Sequence, residues 1–139
     1  METLKIVLDP GATMPTRAHE NDAGLDLYAA ERKVIRSMDW ERVSTGVHAQ
    51  IPRGFVGLIT SKSGLMAKQG ITSRGTIDAG YTGTIQAILF NHSRRDYIVE
   101  KGDKITQMVI VPCCLPVPEL VDELEDTERG AGGFGSTGR

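Results

Sequence analysis

What this sequence lacks removes several function classes at the outset. Its two cysteines, Cys113 and Cys114, are adjacent, so they do not make a stapled extracellular scaffold. They read as small apolar residues near the end of a strand, buried as free cysteine usually is. No HExxH or CxxC pattern occurs, and His19, His48 and His92 are scattered, which argues against a protein-held zinc site. The histidines are expected on the surface or in loops. No GxxxxGK[ST] loop is present, so this is not a P-loop protein. A net charge of −2 leaves no basic footprint for direct nucleic-acid binding. No apolar run is long enough to span a bilayer and no signal peptide opens the chain, so the expected setting is the cytoplasm, away from membranes.

What remains is a 139-residue chain with 16 glycines and 6 prolines, enough for one domain with its own core and many turns. The apolar residues come in short runs cut by turn formers: "LKIVL" (4–8), "GLDLYAA" (24–30), "RVSTGVHAQI" (42–51), "GFVGLIT" (54–60), "GTIQAILF" (83–90), "DYIVE" (96–100) and "KITQMVIV" (104–111). Their β-branched content and two-residue alternation favour strands. Only "SGLMAKQG" (63–70) reads as helix. The expectation is an all-β fold, a jelly-roll-like barrel or sandwich over residues 1–118. Prolines 112, 116 and 118 end the body, and residues 119–139 form an acidic connector and a glycine-rich arm.

Five stretches could carry chemistry. "RGAGGFGSTGR" (129–139) offers bare backbone N–H groups, the hydroxyls of Ser136 and Thr137, and Phe134, a costly residue for a tail that merely trails into water. "TSKSGL" (60–65) places Lys62, Ser63 and Gly64 between a strand and a short helix, where charge, hydroxyl and backbone could hold phosphates together. "GTIDAGYTGTI" (75–85) reads as a hairpin around Ala79-Gly80 that presents Asp78 and Tyr81. In "AGLDL" (23–27) Asp26 interrupts an apolar strand; it either faces water or is buried and needs a partner. In "KGDKITQMVI" (101–110) Gln107 is either a satisfied core amide or a ligand.

In this order and spacing the five stretches resemble the motifs of the homotrimeric dUTPases, over residues 23–138. The resemblance implies a jelly-roll homotrimer with three active sites shared between subunits. It implies hydrolysis of dUTP to dUMP and pyrophosphate by in-line attack of water on the α-phosphorus, which limits uracil incorporation into DNA and supplies dUMP for dTMP synthesis. Asp78 matches the carboxylate that activates the water, and Mg²⁺ is the implied cofactor, with Asp26 near its water shell. Lys62, Ser63, Gly64, Gln107, Arg129, Ser136 and Thr137 match groups that contact phosphates. Gly75, Thr76, Ile77 and Asp78 match the segment that reads uracil and sugar. Tyr81 matches the ring beneath the deoxyribose, and Phe134 the ring stacked on uracil. Lys62 departs from the family's usual arginine, keeping the charge and losing the bidentate fork. Two rivals share the fold: a regulatory or scaffold protein without catalysis, and dCTP deaminase. The deaminase's catalytic glutamate would fall on Ile88, which cannot shuttle protons.

Overall fold

The computed structural model describes residues 3–135 and 138. Among them it contains ten strands and one short helix. In chain order these are β1 (Lys5–Leu8), β2 (Leu25–Tyr28), β3 (Lys33–Ile35), β4 (Trp40–Ser44), β5 (Val47–Gln50) and β6 (Phe55–Thr60). The helix α1 (Ser63–Gln69) comes next, then β7 (Ile71–Ile77), β8 (Gln86–Asn91), β9 (Tyr97–Val99) and β10 (Lys104–Pro112). A six-stranded antiparallel sheet runs β2-β10-β6-β7-β8-β4, and the pairs β1-β5 and β3-β9 complete the all-β body.

The two-residue alternation of the sequence becomes inside and outside. On β8, Ala87, Leu89 and Asn91 are buried while the residues between them are only half-buried. Two apolar clusters result. Leu27, Val47, Ile59, Ile77, Ile85 and Met108 anchor one, with Ile6 and Phe55 packed against it. Ile35, Val43, Ile71, Leu89, Val99 and Ile105 anchor the other, with Leu65 of α1 against it. Each fully buried side chain of this size contributes roughly 1.5–3 kcal/mol. Polar groups inside are paired: Ser73 Oγ lies 2.6 Å from Thr106 Oγ1, and Asn91 Nδ2 donates to the carbonyls of Ile35 and Arg95. No buried side-chain nitrogen or oxygen among the described residues lacks a partner.

Three features differ from the sequence expectation. The run 42–51 is two strands, because the chain turns at Thr45-Gly46. Thr45 Oγ1 donates to the Ile85 carbonyl and accepts from the Val47 N–H, which turns the chain locally. The short β3 carries too little pattern to be read in advance. Cys114 is exposed and Cys113 half-buried, since β10 ends at Pro112 and no strand covers the two cysteines beyond it. His48 lies within β5 with its side chain partly exposed, in keeping with a surface position. Helix α1 is where the sequence put it, closed by Gly70 at φ 68°, whose N–H reaches the carbonyls of Leu65 and Met66.

From Leu115 to Gly135 no regular element forms, and every residue is exposed except the half-buried Gly132 and Gly133. No helix among the described residues is long and apolar enough to cross a membrane.

Candidate active site

The strand register assembles a row of side chains across one end of the large sheet. Asp26 on β2 stands opposite Gln107 on β10, Gln107 opposite Thr60 on β6, and Thr60 opposite Arg74 on β7. Thr60 leads directly into Ser61 and Lys62, the residue before α1. Lys62 Nζ donates to Asp26 Oδ1, and Lys104 Nζ lies 3.0 Å from Asp26 Oδ2. Asp26 is buried, so the first of the two sequence readings, a wet face, fails and the second holds: its partners are two ammoniums. Burial pushes its pKa up, but the hydrogen bonds and charges of Lys62 and Lys104 outweigh that and hold it below the usual carboxylate value. The same pair raises the pKa of Lys104, through the hydrogen bond to Asp26 first and its charge second.

Gln107 closes the floor of this cradle. Its Nε2 donates to the Ser61 carbonyl at 3.1 Å, leaving its Oε1 against Gly24. A Cβ at position 24 would collide with that oxygen, so the bare backbone there is needed to seat the amide. Gly24, Asp26, Lys62 and Gln107 line a shallow cavity of ≈ 330 Å³. Ser63 and Gly64 form the first residues of α1, and no atom would lie within 4 Å of a Cβ at Gly64. That backbone is therefore open to an approaching anion.

The second half of the site is the loop after β7. The β7–β8 ladder holds only from Ile71↔Asn91 to Ser73↔Leu89, so the hairpin splays beyond Ser73. From Arg74 to Ile77, β7 is paired on its β6 side alone. Along Gly75 to Ile77, the backbone donors and acceptors that point away from β6 are left without a strand. Arg74, Gly75 and Thr76 are exposed, as is Asp78 just past the strand. Tyr81 is 45% exposed, so its ring is available to a ligand. Its hydroxyl donates to the Thr84 carbonyl at 3.0 Å, and the ring lies across Gly83.

The two halves sit at different levels along β7. Ser61, beside Lys62, is bonded through Oγ to both the N–H and the carbonyl of Ser73, while Asp78 lies five residues further on, just past the end of β7. Five residues of extended strand span about 16 Å.

No hydrogen bond among the described residues joins the arm to either half. Phe134 is fully exposed with φ 50°, and Arg129 Nε donates to the nearby Gly132 carbonyl. Ser136 and Thr137 lie outside the described residues. Sequence reasoning missed Lys104, whose partnership with Asp26 depends on strand register, and His48, which bonds to the Thr82 carbonyl behind the hairpin.

No cluster of three or more His, Cys, Asp or Glu side chains among the described residues could hold a metal ion directly. Asp22 and Asp26 are the carboxylates lining the cavity, and Asp26 is already paired with two lysines. This fits a divalent ion carried by phosphates and water, with Asp26 reaching only its water shell.

Comparison with known proteins bears on this geometry. The dUTPase family model matches residues 11–138. The deoxyuridine 5′-triphosphate nucleotidohydrolase of Clostridium acetobutylicum is 46% identical over 142 residues, covering 99% of this chain and 98% of its own length. That of Saccharomyces cerevisiae is 42% identical over 140 residues, covering 99% and 95%. Among solved structures, a dUTPase of Staphylococcus bacteriophage 80alpha with dUpNHpp superposes with a TM-score of 0.93 at 34% identity, covering 100% of both chains. A dUTPase from phage phi11 of S. aureus, described with a structural Mg(II) ion, gives 0.83 at 32% identity over 90% of this chain and 100% of its own.

Proposed function

The chain belongs to the dUTPase family, and on that footing we infer that it is a dUTP diphosphatase, hydrolysing dUTP to dUMP and pyrophosphate at a site shared between copies of the chain. One observation supports the shared site: Lys62 follows Ser61, which is bonded to Ser73 near the start of β7, while Asp78 and Tyr81 follow its end. In this reading a nucleotide that uses both takes them from two subunits. The homotrimer, with the arm supplied by the remaining subunit, is the assembly this reading adopts.

In this reading the open edge of β7 from Gly75 to Ile77 supplies the donors and acceptors that read uracil. Backbone readout discriminates against cytosine, whose donor and acceptor pattern differs, and a tight pocket rejects the methyl of thymine. Tyr81 lies beneath the deoxyribose, where a 2′-hydroxyl would collide with its ring. Asp78, exposed at the mouth of the hairpin, accepts a hydrogen bond from the attacking water and takes its proton as the water adds to the α-phosphorus. Lys62, Ser63, Gly64 and Gln107 hold the phosphates on the other side. Asp26 fixes Lys62 in place before the nucleotide arrives, so less side-chain entropy is lost on binding. Mg²⁺, where bound by the phosphates with Asp26 near its water shell, supplies charge neutralisation for the departing pyrophosphate.

Residues 119–139 act as connector and lid over the body of residues 1–118. Phe134 stacks on uracil, and Arg129, Ser136 and Thr137 contact the outer phosphates, closing the site against water. Ile88 on β8 cannot shuttle a proton, which disfavours deamination of a cytosine nucleotide. We assign the enzyme to the cytoplasm, with the free-nucleotide pool its substrate belongs to. The test is pyrophosphate release from dUTP, dCTP, dTTP and UTP, with and without Mg²⁺. Release from dUTP alone, dependent on Mg²⁺, supports the reading. No release from dUTP, or ammonia release from dCTP, overturns it.

A further inference from the structure

The hairpin that carries Asp78 and Tyr81 is paired to β8 by only three residues at its far end, so something else must hold its tip. His48 on β5 is placed to do so. Its Nδ1 lies 2.7 Å from the Thr82 carbonyl, and its Nε2 lies 3.0 Å from Asp9 Oδ1. Both partners only accept, so a ring that satisfies both must donate from both nitrogens, as imidazolium does. Thr84 Oγ1 completes the knot, 3.3 Å from Asp9 Oδ2 and 3.1 Å from His48 Nε2. Asp9 itself is fastened by its N–H to the Gly46 carbonyl, next to β5.

We propose that His48 is a positioning residue for the 78–85 hairpin, clamping the Thr82 carbonyl and the Asp9 carboxylate together so that Asp78 and Tyr81 are held for the nucleotide. This rests on the reading of the hairpin as the part that binds uracil and sugar. The clamp ties three separate pieces of chain: the end of β1, the middle of β5 and the tip of the hairpin. Neither Thr82 nor Asp9 contacts the nucleotide in that reading, so His48 acts through the backbone. The groove of ≈ 820 Å³ beside it is lined by Lys5, Arg53 and Tyr81 as well as His48, and Asp9 is the charged group bonded to the ring.

The environment supports a charged ring. The Thr82 carbonyl first, and then Asp9, raise the pKa of His48 above its ordinary value. The doubly donating form therefore prevails at lower pH and is lost as pH rises through the raised value. A neutral ring keeps one N–H for two acceptors. The Thr84 hydroxyl can then donate to Nε2 in place of Asp9, leaving Thr82 held and Asp9 released.

Two substitutions separate the ends of the clamp. In His48→Asn the amide nitrogen stands near the place of Nδ1 and can still donate to Thr82. In His48→Gln it stands near the place of Nε2 and reaches Asp9 instead. The experiment measures kcat and KM for dUTP from about pH 6 to about pH 9, with backbone hydrogen exchange across residues 78–85. His48→Gln should lower kcat/KM about 10- to 100-fold with faster exchange in the hairpin, and His48→Asn should recover most of that loss. The parent's remaining advantage over His48→Asn should shrink as pH rises. Equal impairment of both variants, or a His48→Gln variant with parent kinetics and parent exchange, would overturn the proposal. Faster hairpin exchange with parent kinetics would leave the clamp standing and overturn the hairpin's assignment to the nucleotide.

Discussion

Asp26 and Lys62 come from distant parts of the chain and form an ion pair at one end of the large sheet, the carboxylate on β2 and the ammonium just before α1. Lys104 joins the same carboxylate from β10. The Asp26 side chain is 7% exposed, while Lys62 and Lys104 keep 25% and 43% of theirs in water. Removing the carboxylate therefore leaves two cations that can still hydrate.

Asp26→Asn should cost about 1–3 kcal/mol at neutral pH, below the usual loss for a fully buried pair. Because the folded-state pKa is lowered, the pair's contribution is complete above the ordinary carboxylate value and fades as pH falls through the folded one. Urea denaturation of parent and variant at fixed protein concentration should show a gap at neutral pH that closes in acid. A gap that widened in acid would contradict the assignment.

Gly24→Ala should act at a distance through Gln107. The new methyl meets the carboxamide oxygen, with the amide carbon only 3.0 Å away, so the amide must leave the Ser61 carbonyl. KM for dUTP should rise in Gly24→Ala as it does in Gln107→Ala. The double variant should be little worse than either, since both changes remove the same contact. Additive losses would show that Gly24 matters for another reason.

Tyr81 and Gly83 offer a similar pair. An added Cβ at Gly83 would sit 2.6 Å from the Tyr81 Cζ, so Gly83→Ala must push the ring aside. Both Gly83→Ala and Tyr81→Ala should narrow the ratio of kcat/KM for dUTP over UTP. If neither moves that ratio, the ring is not what excludes the 2′-hydroxyl.

The arm can be tested without reference to its conformation. Loss of residues 129–139 should leave the body folded, because no described residue of that stretch is a member of either core cluster. Turnover of dUTP should drop sharply. A non-hydrolysable dUTP analogue should slow tryptic cleavage after Arg129, and dUMP should slow it less. Cleavage that ignores both ligands, or full turnover after the deletion, would remove the arm from the site.

Much of the fold is legible in the sequence for a local reason. Short alternating runs bounded by glycine and proline mark strands, and "SKSGL" and "GTIDAGYTG" each keep their chemistry within a few neighbouring residues. The all-β body, α1 and the residues of both halves of the site come from such local signals. The partnerships do not. Asp26 meets Lys104 because β2 and β10 pair with a register shift between Lys104 and Thr106, and His48 meets Thr82 where the hairpin splays from β8 beyond Ser73. Register is a property of two strands at once, and neither strand's composition states it. The exposure of Cys114 escapes the sequence for the same reason: the cover over a residue is decided by its neighbours in space.

The central claim is that one chain cannot complete its own site, and mixing two disabled variants tests it most directly. Asp78→Asn removes the acceptor for the attacking water, a loss of about 10²–10⁴-fold in rate where general-base help is removed. Lys62→Ala disables the phosphate cradle at the other end of β7. Each variant alone should hydrolyse dUTP poorly. After subunit exchange, a site built from the intact cradle of one and the intact hairpin of the other should release pyrophosphate well above the sum of the two. Proven exchange with no recovery at any mixing ratio would mean that Lys62 and Asp78 serve the nucleotide from the same chain, and the shared site would be wrong.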